Sequence, residues 1–178
     1  MLNMKNKILF PAVAREIINM ATADRRMRVK ALKGGRWDNE LDKINTKIFK
    51  KIIVKIGWPT ISKVGRKAAN LSWFLVQHAD HDIKWQEKCL KLLKKQPQKE
   101  IFLKNIAFLD DRVRVNNGRL QIFGTQFYKN RKGKFGPRPI YDIKDLDKRR
   151  KKMGLKPFCR YQKLMDKMNK ESLKYRKK

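Results

Sequence analysis

The sequence predicts a protein of the α+β class: a mainly helical single domain with one small antiparallel β-hairpin and a basic C-terminal helix. Apolar residues recur at intervals of three and four over most of the chain, which is the spacing of one buried helix face. Residues 112–115 instead alternate between Arg and Val and lead directly into Asn117-Gly118, a pair typical of the type I′ turn of a hairpin. With 178 residues and 41% hydrophobic content, the chain is large enough to bury one core.

Five helices are predicted in the first 110 residues. Pro11 suits the first turn of a helix that runs to about residue 32 and stops at Gly34-Gly35. Asp38 is a candidate N-cap for the second helix, which Gly57 ends. The clearest apolar stripe belongs to this second helix and consists of Leu41, Ile44, Ile48, Ile52 and Ile56. Three further stretches, residues 62–79, 82–95 and 99–109, have similar spacing.

The predicted hairpin lies near residues 112–127. A two-residue turn at positions 117–118 places residues 113, 115, 120 and 122 on one face, and all four are apolar. A basic, glycine-containing loop is predicted at residues 129–138, a short edge strand at 139–141, and a brief helix at 145–153 that Gly154 closes.

The C-terminal segment, residues 157–178, is predicted to be a basic amphipathic helix or tail attached to a helical domain of residues 1–156. Its apolar and basic side chains form two columns offset by two residues, or about 200° around a helix, so the columns face opposite ways. The apolar column consists of Phe158, Tyr161, Met165, Met168 and Tyr175. The basic column consists of Arg160, Lys163, Lys167, Lys170, Lys174 and Lys177.

The chain is strongly basic, with 47 Lys and Arg residues against 16 Asp and Glu and a formal net charge of +31. Residues 129–178 carry 20 basic and 5 acidic side chains, a net charge of +15. Such a charge attracts polyanions, and the release of counterions favours their binding at low salt. A composition rich in Lys, Asn and Ile is also what an A/T-biased genome produces without selection for binding.

Cysteine usage and apolar runs predict a cytoplasmic protein without a membrane span. Cys89 and Cys159 lie far apart, so there is no C-x-x-C motif or disulfide framework. No apolar run approaches the ~18 residues of a membrane-spanning helix. The short apolar stretch before Arg15 is interpreted as the entry to a helix, since it contains Pro11 and leads into charged residues.

The densest polar cluster is Gln-His-Ala-Asp-His-Asp at residues 77–82, at the junction of two predicted helices. If the helix continues, His78 and Asp82 share one face, and a carboxylate beside an imidazole makes it a better base. Alternatively, Asp80 or Asp82 caps a helix and His78 donates a hydrogen bond to a buried backbone carbonyl. A metal site built from His78, His81 and Asp82 lacks an obvious further ligand, so we predict no metal site and no cofactor.

A second polar cluster is the corner Gly124-Thr125-Gln126, after the predicted hairpin strand. Such a corner can present backbone N–H groups and a hydroxyl to a ligand, or it can serve only the turn. Because sites are usually assembled at element ends, we predict that His78 and this corner share one cavity. The candidate ligand-binding residues are Gln77, Asp111, Arg112, Gln121, Thr125 and Gln126.

Four short motifs occur in a recognisable order: Trp-Pro-Thr at residues 58–60, Gln-His-Ala-Asp at 77–80, Asp-Arg-Val at 111–113 and Phe-Gly-Thr-Gln at 123–126. In their order and spacing the chain resembles an uncharacterised bacterial domain family, domain of unknown function 6624, over about residues 12–165. The resemblance implies a helical domain with a small hairpin and transfers no activity, because none is established for the family. This chain differs from other members in being lysine-rich where they are acidic or neutral.

Two functional hypotheses follow. In the first, the protein binds a polyanion (RNA, DNA or a ribonucleoprotein surface) mainly without sequence specificity, because lysine contacts phosphates rather than bases. Its predicted contacts are Arg149, Arg150, Lys151, Lys152 and the basic column. In the second, it is a small enzyme or ligand-binding domain that uses His78 and the corner at residues 124–126. The charge favours the first hypothesis, and the motifs, which are not basic, favour the second. The sequence therefore predicts polyanion binding first, with the enzyme or ligand-binding domain as the alternative. No oligomeric state is predicted.

Overall fold

The computed structural model describes residues 8–176 and confirms a mainly helical α+β domain with one two-stranded antiparallel sheet. The helices are α1 (Pro11–Leu32), α2 (Asn39–Ile56), α3 (Ile61–Gln77), α4 (Ile83–Lys94), α5 (Leu103–Asn116), α6 (Leu146–Lys152) and α7 (Phe158–Arg176). A 3₁₀ turn, Gln98–Glu100, precedes α5. Within residues 8–176, no helix is long and apolar enough to cross a membrane.

Several helix ends lie where local signals predict them. Pro11 occupies the first turn of α1. Asp38 caps α2, because its carboxylate accepts hydrogen bonds from the backbone N–H groups of the second and third residues of that helix, at 2.9 and 3.2 Å. Gly57 ends α2 with a φ of 66°, a left-handed conformation that glycine adopts without strain. Each of these signals depends only on residues within about one turn of the helix end, so it can be recognised from the sequence alone.

The core forms where α1 packs against α3 and α4 packs against α5, with α2 alongside α1 and α3. Phe49 and Trp58 meet edge to face in this core, with ring centroids 6.3 Å apart. Among the almost completely buried apolar side chains are Ile17, Val64, Ala68, Val76, Cys89, Leu93 and Leu109. The packing of α1 on α3 brings the C-terminal end of α3 beside the middle of α1, and this contact builds the candidate site.

The hairpin predicted near residues 112–127 is wrong in position. Helix α5 continues through the first part of this stretch to Asn116. The sheet is formed instead by β1 (Phe127–Lys129) and β2 (Phe135–Pro137), which run antiparallel with Tyr128 opposite Gly136. The strands therefore lie largely where the sequence predicts a basic loop. The edge strand predicted at residues 139–141 is reduced to a single bridge between Gln121 and Ile140.

Asn117-Gly118 ends a helix rather than turning a hairpin. Gly118 has a φ of 69°, and its N–H donates to the carbonyl three residues earlier at 3.0 Å. The N–H of Arg119 donates to the carbonyl of Arg114 at 2.8 Å, which completes the Schellman pattern of a helix C-terminus. Val113 is 3% exposed in the core, so the alternating Arg and Val residues form the last turns of α5. A glycine with positive φ after an asparagine occurs both in type I′ hairpin turns and at helix C-termini, so the tertiary packing decides which of the two forms.

Helix α7 packs on the hairpin through its first turns and reaches the end of α1 with its last. The rings of Phe158 and Tyr161 lie 6.3 and 5.7 Å, centroid to centroid, from the ring of Phe127 in β1. At the other end of α7, the ammonium of Lys33 lies 5.7 Å from the ring centroid of Tyr175. The apolar column is buried only in part, since Tyr175 remains 49% exposed.

Candidate active site

His78 lies directly after α3, at the point where this helix meets the middle of α1. Its Nδ1 atom is 2.7 Å from Oδ2 of Asp24, a completely buried residue of α1. Because an ionised carboxylate only accepts hydrogen bonds, Nδ1 carries the proton and Nε2 keeps an unshared electron pair. Nε2 has no hydrogen-bond partner among residues 8–176. The contact therefore orients the imidazole and leaves its basic nitrogen free.

Arg28 connects this pair to α2. Its Nε donates to Oδ1 of Asp24, and its Nη2 donates to Oδ1 of Asp42 at 2.6 Å. Potential ligand atoms of Asp24, Asp42 and His78 lie within 4.8 Å of one another, a spacing that a metal ion could use. Arg28 already supplies the positive charge between the two carboxylates, so a cation would have to displace its guanidinium.

The surroundings favour a neutral His78. Burial lowers the pKa of His78 below its ordinary value of 6.5, and this outweighs the hydrogen bond and charge of Asp24, which raise it. Burial also raises the pKa of Asp42, against the lowering effect of Arg28. Since the folded chain protonates His78 less readily than the unfolded chain does, His78 makes the fold less stable as the pH drops below 6.5. At neutral pH, Nε2 is available to accept a proton.

A second ionic cluster borders the same region. Asp80 accepts hydrogen bonds from the guanidinium of Arg112, from Nδ2 of Asn116 at 2.7 Å and from Nε2 of Gln86 at 3.1 Å. Burial raises the pKa of Asp80, but the hydrogen bonds and the Arg112 charge lower it more, so this pKa lies below its ordinary value. Arg112 also donates to Oε1 of Gln126 at 3.2 Å. The motifs at residues 77–80 and 111–113 therefore meet through an ion pair.

The two ionic clusters line one cleft of about 430 Å³, the His78 cleft. Its wall consists of His78, His81, Asp42, Asp80, Arg28, Arg112, Trp37, Asn39 and Lys43. The indole of Trp37 is 46% exposed, and the Arg28 guanidinium lies 4.8 Å from its ring centroid. The cleft thus combines an oriented base, cationic groups and an exposed aromatic ring. This combination can hold a polar substrate and remove a proton from it.

The predicted pairing of His78 with Asp82 is wrong. Helix α3 ends at Gln77 and a turn follows, so the two residues do not share a helix face. Asp82 caps α4 instead: Oδ1 accepts from a backbone N–H of that helix at 3.0 Å, and Oδ2 accepts from Lys50 at 2.7 Å. Gln77 contributes a backbone oxygen, which accepts a hydrogen bond from Gln86 at 3.1 Å.

The corner at residues 124–126 is folded around a carboxylate. Buried Asp111 accepts hydrogen bonds from the backbone N–H groups of Ile122, Phe123 and Thr125 at 2.7, 3.0 and 2.9 Å. The Thr125 hydroxyl donates to the same carboxylate at 2.9 Å. Gln121 is also completely buried, and its side chain bonds to backbone groups of this loop. None of residues 121–126 lines the His78 cleft, so the prediction of one shared cavity is wrong.

Two of the predicted nucleic-acid contacts instead hold this loop in place. Arg150 is 1% exposed, and its guanidinium donates to the backbone oxygens of Phe123 and Lys156. Arg149 donates to the backbone oxygens of Ile122, at 3.0 Å, and of residue 141. Their donors are used inside the protein, so the prediction that Arg149 and Arg150 contact phosphates is corrected.

The other predicted basic contacts lie on the surface. Exposed side chains belong to Lys151, Lys152, Arg160, Lys163, Lys167, Lys170 and Lys174. Lys177 lies outside the described residues. The lysines of α7 share their surface with Asp166 and Glu171, which reduce its net charge.

Sequence reasoning missed the three residues that orient His78: Asp24, Arg28 and Asp42. One signal was available, because Asp24 continues the apolar stripe of α1 three residues after Ala21. An acidic residue on a buried helix face is seldom tolerated without a partner. Arg28, four residues further on, is that partner and forms an ion pair with Asp24.

We expect the histidine nitrogens to report this geometry directly. In ¹⁵N-histidine spectra at pH 7, His78 should show a protonated Nδ1 and an unprotonated Nε2. Asp24→Asn should invert the tautomer, because Oδ1 is held by Arg28 and the amide nitrogen would then face His78 and donate to Nδ1. The chain has only two histidines, so His81→Gln assigns both signals. A protonated Nε2 in the unmodified protein would contradict the prediction.

Comparison with known proteins identifies a family but no characterised relative. A model described as a family of unknown function (DUF6624) matches residues 11–174. No curated protein and no solved structure matches the chain.

Proposed function

The chain belongs to this family of unknown function, and we propose that it is an enzyme in which His78 acts as a general base. The observation that carries the proposal is the 2.7 Å contact between Asp24 and Nδ1 of His78, which leaves Nε2 unprotonated at the wall of a cleft. In this role Nε2 removes a proton from a hydroxyl group or a water molecule of the reacting complex.

The other residues of the cleft have distinct roles in this proposal. Asp24 positions the imidazole and stabilises the imidazolium that forms when Nε2 accepts the proton. Arg28 holds Asp24 in place through Oδ1. Lys43 supplies positive charge at the cleft wall, where an anionic group of the substrate would replace the exposed carboxylate of Glu40; Arg112 is held by Asp80 and Gln126. A substrate that combines a hydroxyl with a negative charge suits this set of groups.

A panel of phosphodiesters, phosphomonoesters, carboxylic esters and peptides, assayed in the presence of EDTA, tests the proposal. Turnover of at least one class is expected, and His78→Gln should reduce it by about 10²–10⁴-fold, the usual contribution of a general base. Lys84→Gln is the control, since Lys84 is an exposed residue of α4 that lines a different cleft, whereas His81 itself lies at the wall of the His78 cleft. Turnover that survives in His78→Gln, or no turnover of any class, would contradict the proposed role.

A second function, polyanion binding by α7, is favoured by the exposure of four lysines on this helix: Lys163, Lys167, Lys170 and Lys174. Lysine ammonium groups bind phosphates as point charges and do not select bases. The proposal therefore concerns binding to RNA, DNA or a ribonucleoprotein surface with little sequence preference.

Replacing these four lysines of α7 by Gln should weaken the salt dependence of duplex DNA binding. Each phosphate contact contributes about 0.9 to the slope of log affinity against log salt, so the slope should become shallower by about 3–4. The matched control replaces four exposed lysines at another helix: Lys84, Lys88 and Lys91 of α4, and Lys95 directly after its end. Equal slopes for the two variants would show that α7 only adds to the total charge.

A further inference from the structure

We infer that the substrate of the His78 site is single-stranded RNA, which the protein cleaves by transferring the phosphate to the neighbouring 2′-hydroxyl. The inference rests on the proposed role of His78 and adds a substrate class and a reaction to it. Three observations outside the Asp24–His78 pair support it: three neighbouring clefts that share lining residues, the positive charge of the first of them, and an exposed indole beside the base. The middle cleft balances Lys30 and Arg36 against Asp38 and Glu40, so the charge argument concerns the groove along α1.

The His78 cleft is one end of a path along α1. A groove of about 890 Å³, the α1 groove, lies between α1 and α3. A cleft of about 590 Å³ shares Lys30 with the α1 groove, and it shares Trp37 and Asn39 with the His78 cleft. The three spaces therefore adjoin one another. A chain molecule that occupies the α1 groove can extend past Trp37 to the base.

The charge of the α1 groove suits a polyanion. Its wall contains the five basic residues Arg25, Arg26, Lys30, Lys33 and Lys67, all exposed, and no acidic residue. Three of them, Arg26, Lys30 and Lys33, follow one another at intervals of four and three residues and so lie on one side of α1. Apolar surface between them, including Val29 and Leu71, can contact sugars and bases.

Trp37 favours a single strand over a duplex. Its ring is 46% exposed and lies where the path enters the His78 cleft. Arg28 covers the ring from one side at 4.8 Å, which fixes the indole and leaves its remaining surface to a ligand. Aromatic side chains stack on the unpaired bases of single strands, and such stacking tolerates any base. A base stacked on Trp37 would place the adjoining sugar and phosphate in the His78 cleft.

The chemistry of the site then selects RNA. Nε2 of His78 takes the proton of the 2′-hydroxyl, the 2′-oxygen forms a bond to the adjacent phosphorus, and the bond from phosphorus to the 5′-oxygen breaks. The leaving 5′-oxygen takes a proton from water, and the hydroxide that remains takes the proton from the His78 imidazolium, which restores the neutral base. The products are a 2′,3′-cyclic phosphate and a 5′-hydroxyl. Lys43, which otherwise pairs with the exposed Glu40, stabilises the charge that develops on the phosphate. DNA lacks the 2′-hydroxyl and is therefore bound without being cleaved.

The test uses the full chain and a fluorescent single-stranded RNA of mixed sequence in EDTA, with the all-deoxy oligonucleotide alongside. We expect RNA fragments that end in a 2′,3′-cyclic phosphate, no DNA cleavage, and a rate lowered by about 10²–10⁴-fold in His78→Gln. The triple variant Arg26→Gln, Lys30→Gln, Lys33→Gln should raise KM more than it lowers kcat. The corresponding change of Lys84, Lys88 and Lys91 in α4 should alter KM less.

The outcomes separate this inference from the proposed function. Intact RNA together with His78-dependent turnover of another substrate class overturns the RNA inference and keeps His78 as a general base. Cleavage of the all-deoxy strand overturns attack by the 2′-hydroxyl. RNA cleavage that persists in His78→Gln overturns both proposals. If neither the α1 triple variant nor the α4 triple variant changes KM, binding in the α1 groove is overturned.

Discussion

Asp111→Ala should lower the free energy of unfolding by about 3–5 kcal/mol, because several buried donors lose their acceptor at about 1–3 kcal/mol each and water replaces only some of the bonds. The carboxylate accepts four hydrogen bonds from residues 122, 123 and 125, and it is completely buried at the last turns of α5. For a chain of this size the expected fall in Tm is about 6–20 °C. Thermal and urea unfolding followed by circular dichroism measure the effect.

The neighbouring acidic residue provides the control. Asp110 forms ion pairs with Lys94 and Arg114, whose side chains are 47% and 33% exposed. Asp110 is itself only 9% exposed, but its two partners reach water and no buried backbone donor depends on it, so Asp110→Ala should cost less than Asp111→Ala. A loss of similar size in the two variants would mean that the loop at residues 121–126 does not depend on the buried carboxylate.

The helices could be predicted because their signals are local. The cap at Asp38, the proline at the start of α1 and the glycine after α2 each act within one turn, and the structure confirms them. The hairpin could not be located in this way. Asn117-Gly118 fits both a type I′ turn and a Schellman helix end, and the choice depends on burial of Val113 and on Asp111 binding the chain eleven to fourteen residues later.

For the candidate site, sequence patterns could relate His78 only to residues close to it along the chain. His78 was identified from a polar cluster, but its partner was sought at Asp82, four residues away, whereas the contact is made with Asp24, fifty-four residues away. No local sequence pattern reveals this contact, because it forms only when α1 packs on α3. The Gly-Thr-Gln corner was misassigned for a related reason: its polar groups face a buried carboxylate of α5.

Composition also does not tell which basic residues are buried. Residues 148–152 read Lys-Arg-Arg-Lys-Lys, and nothing in this run distinguishes the buried member from the exposed ones. In the fold, Arg150 lies inside while Lys151 and Lys152 lie at the surface. A run of five cations thus divides into a structural part and a part available to phosphates.

Arg150→Met should lower the free energy of unfolding by about 2–4 kcal/mol, because two backbone carbonyls lose their hydrogen bonds to a charged donor at about 1–3 kcal/mol each. These are the carbonyls of Phe123 and Lys156. The guanidinium also lies 5.6 and 5.2 Å from the ring centroids of Phe158 and Tyr161. A methionine can pack against these rings, but it loses the cation–π interaction. Burial lowers the pKa of Arg150 and raises that of Asp111, so relief of desolvation offsets part of the loss in both variants.

Lys151→Met is the matched control, since it makes the same replacement at the next, exposed position of α6. Its unfolding free energy should change by no more than about 0.5 kcal/mol, as for most surface substitutions. The affinity for duplex DNA, measured well below the Tm of both variants, should fall more in Lys151→Met than in Arg150→Met. Loss of the exposed Lys151 charge removes a possible phosphate contact, whereas Arg150 has no access to one. If Arg150→Met leaves stability unchanged and lowers DNA affinity, Arg150 faces the solvent and the buried position described for it is wrong.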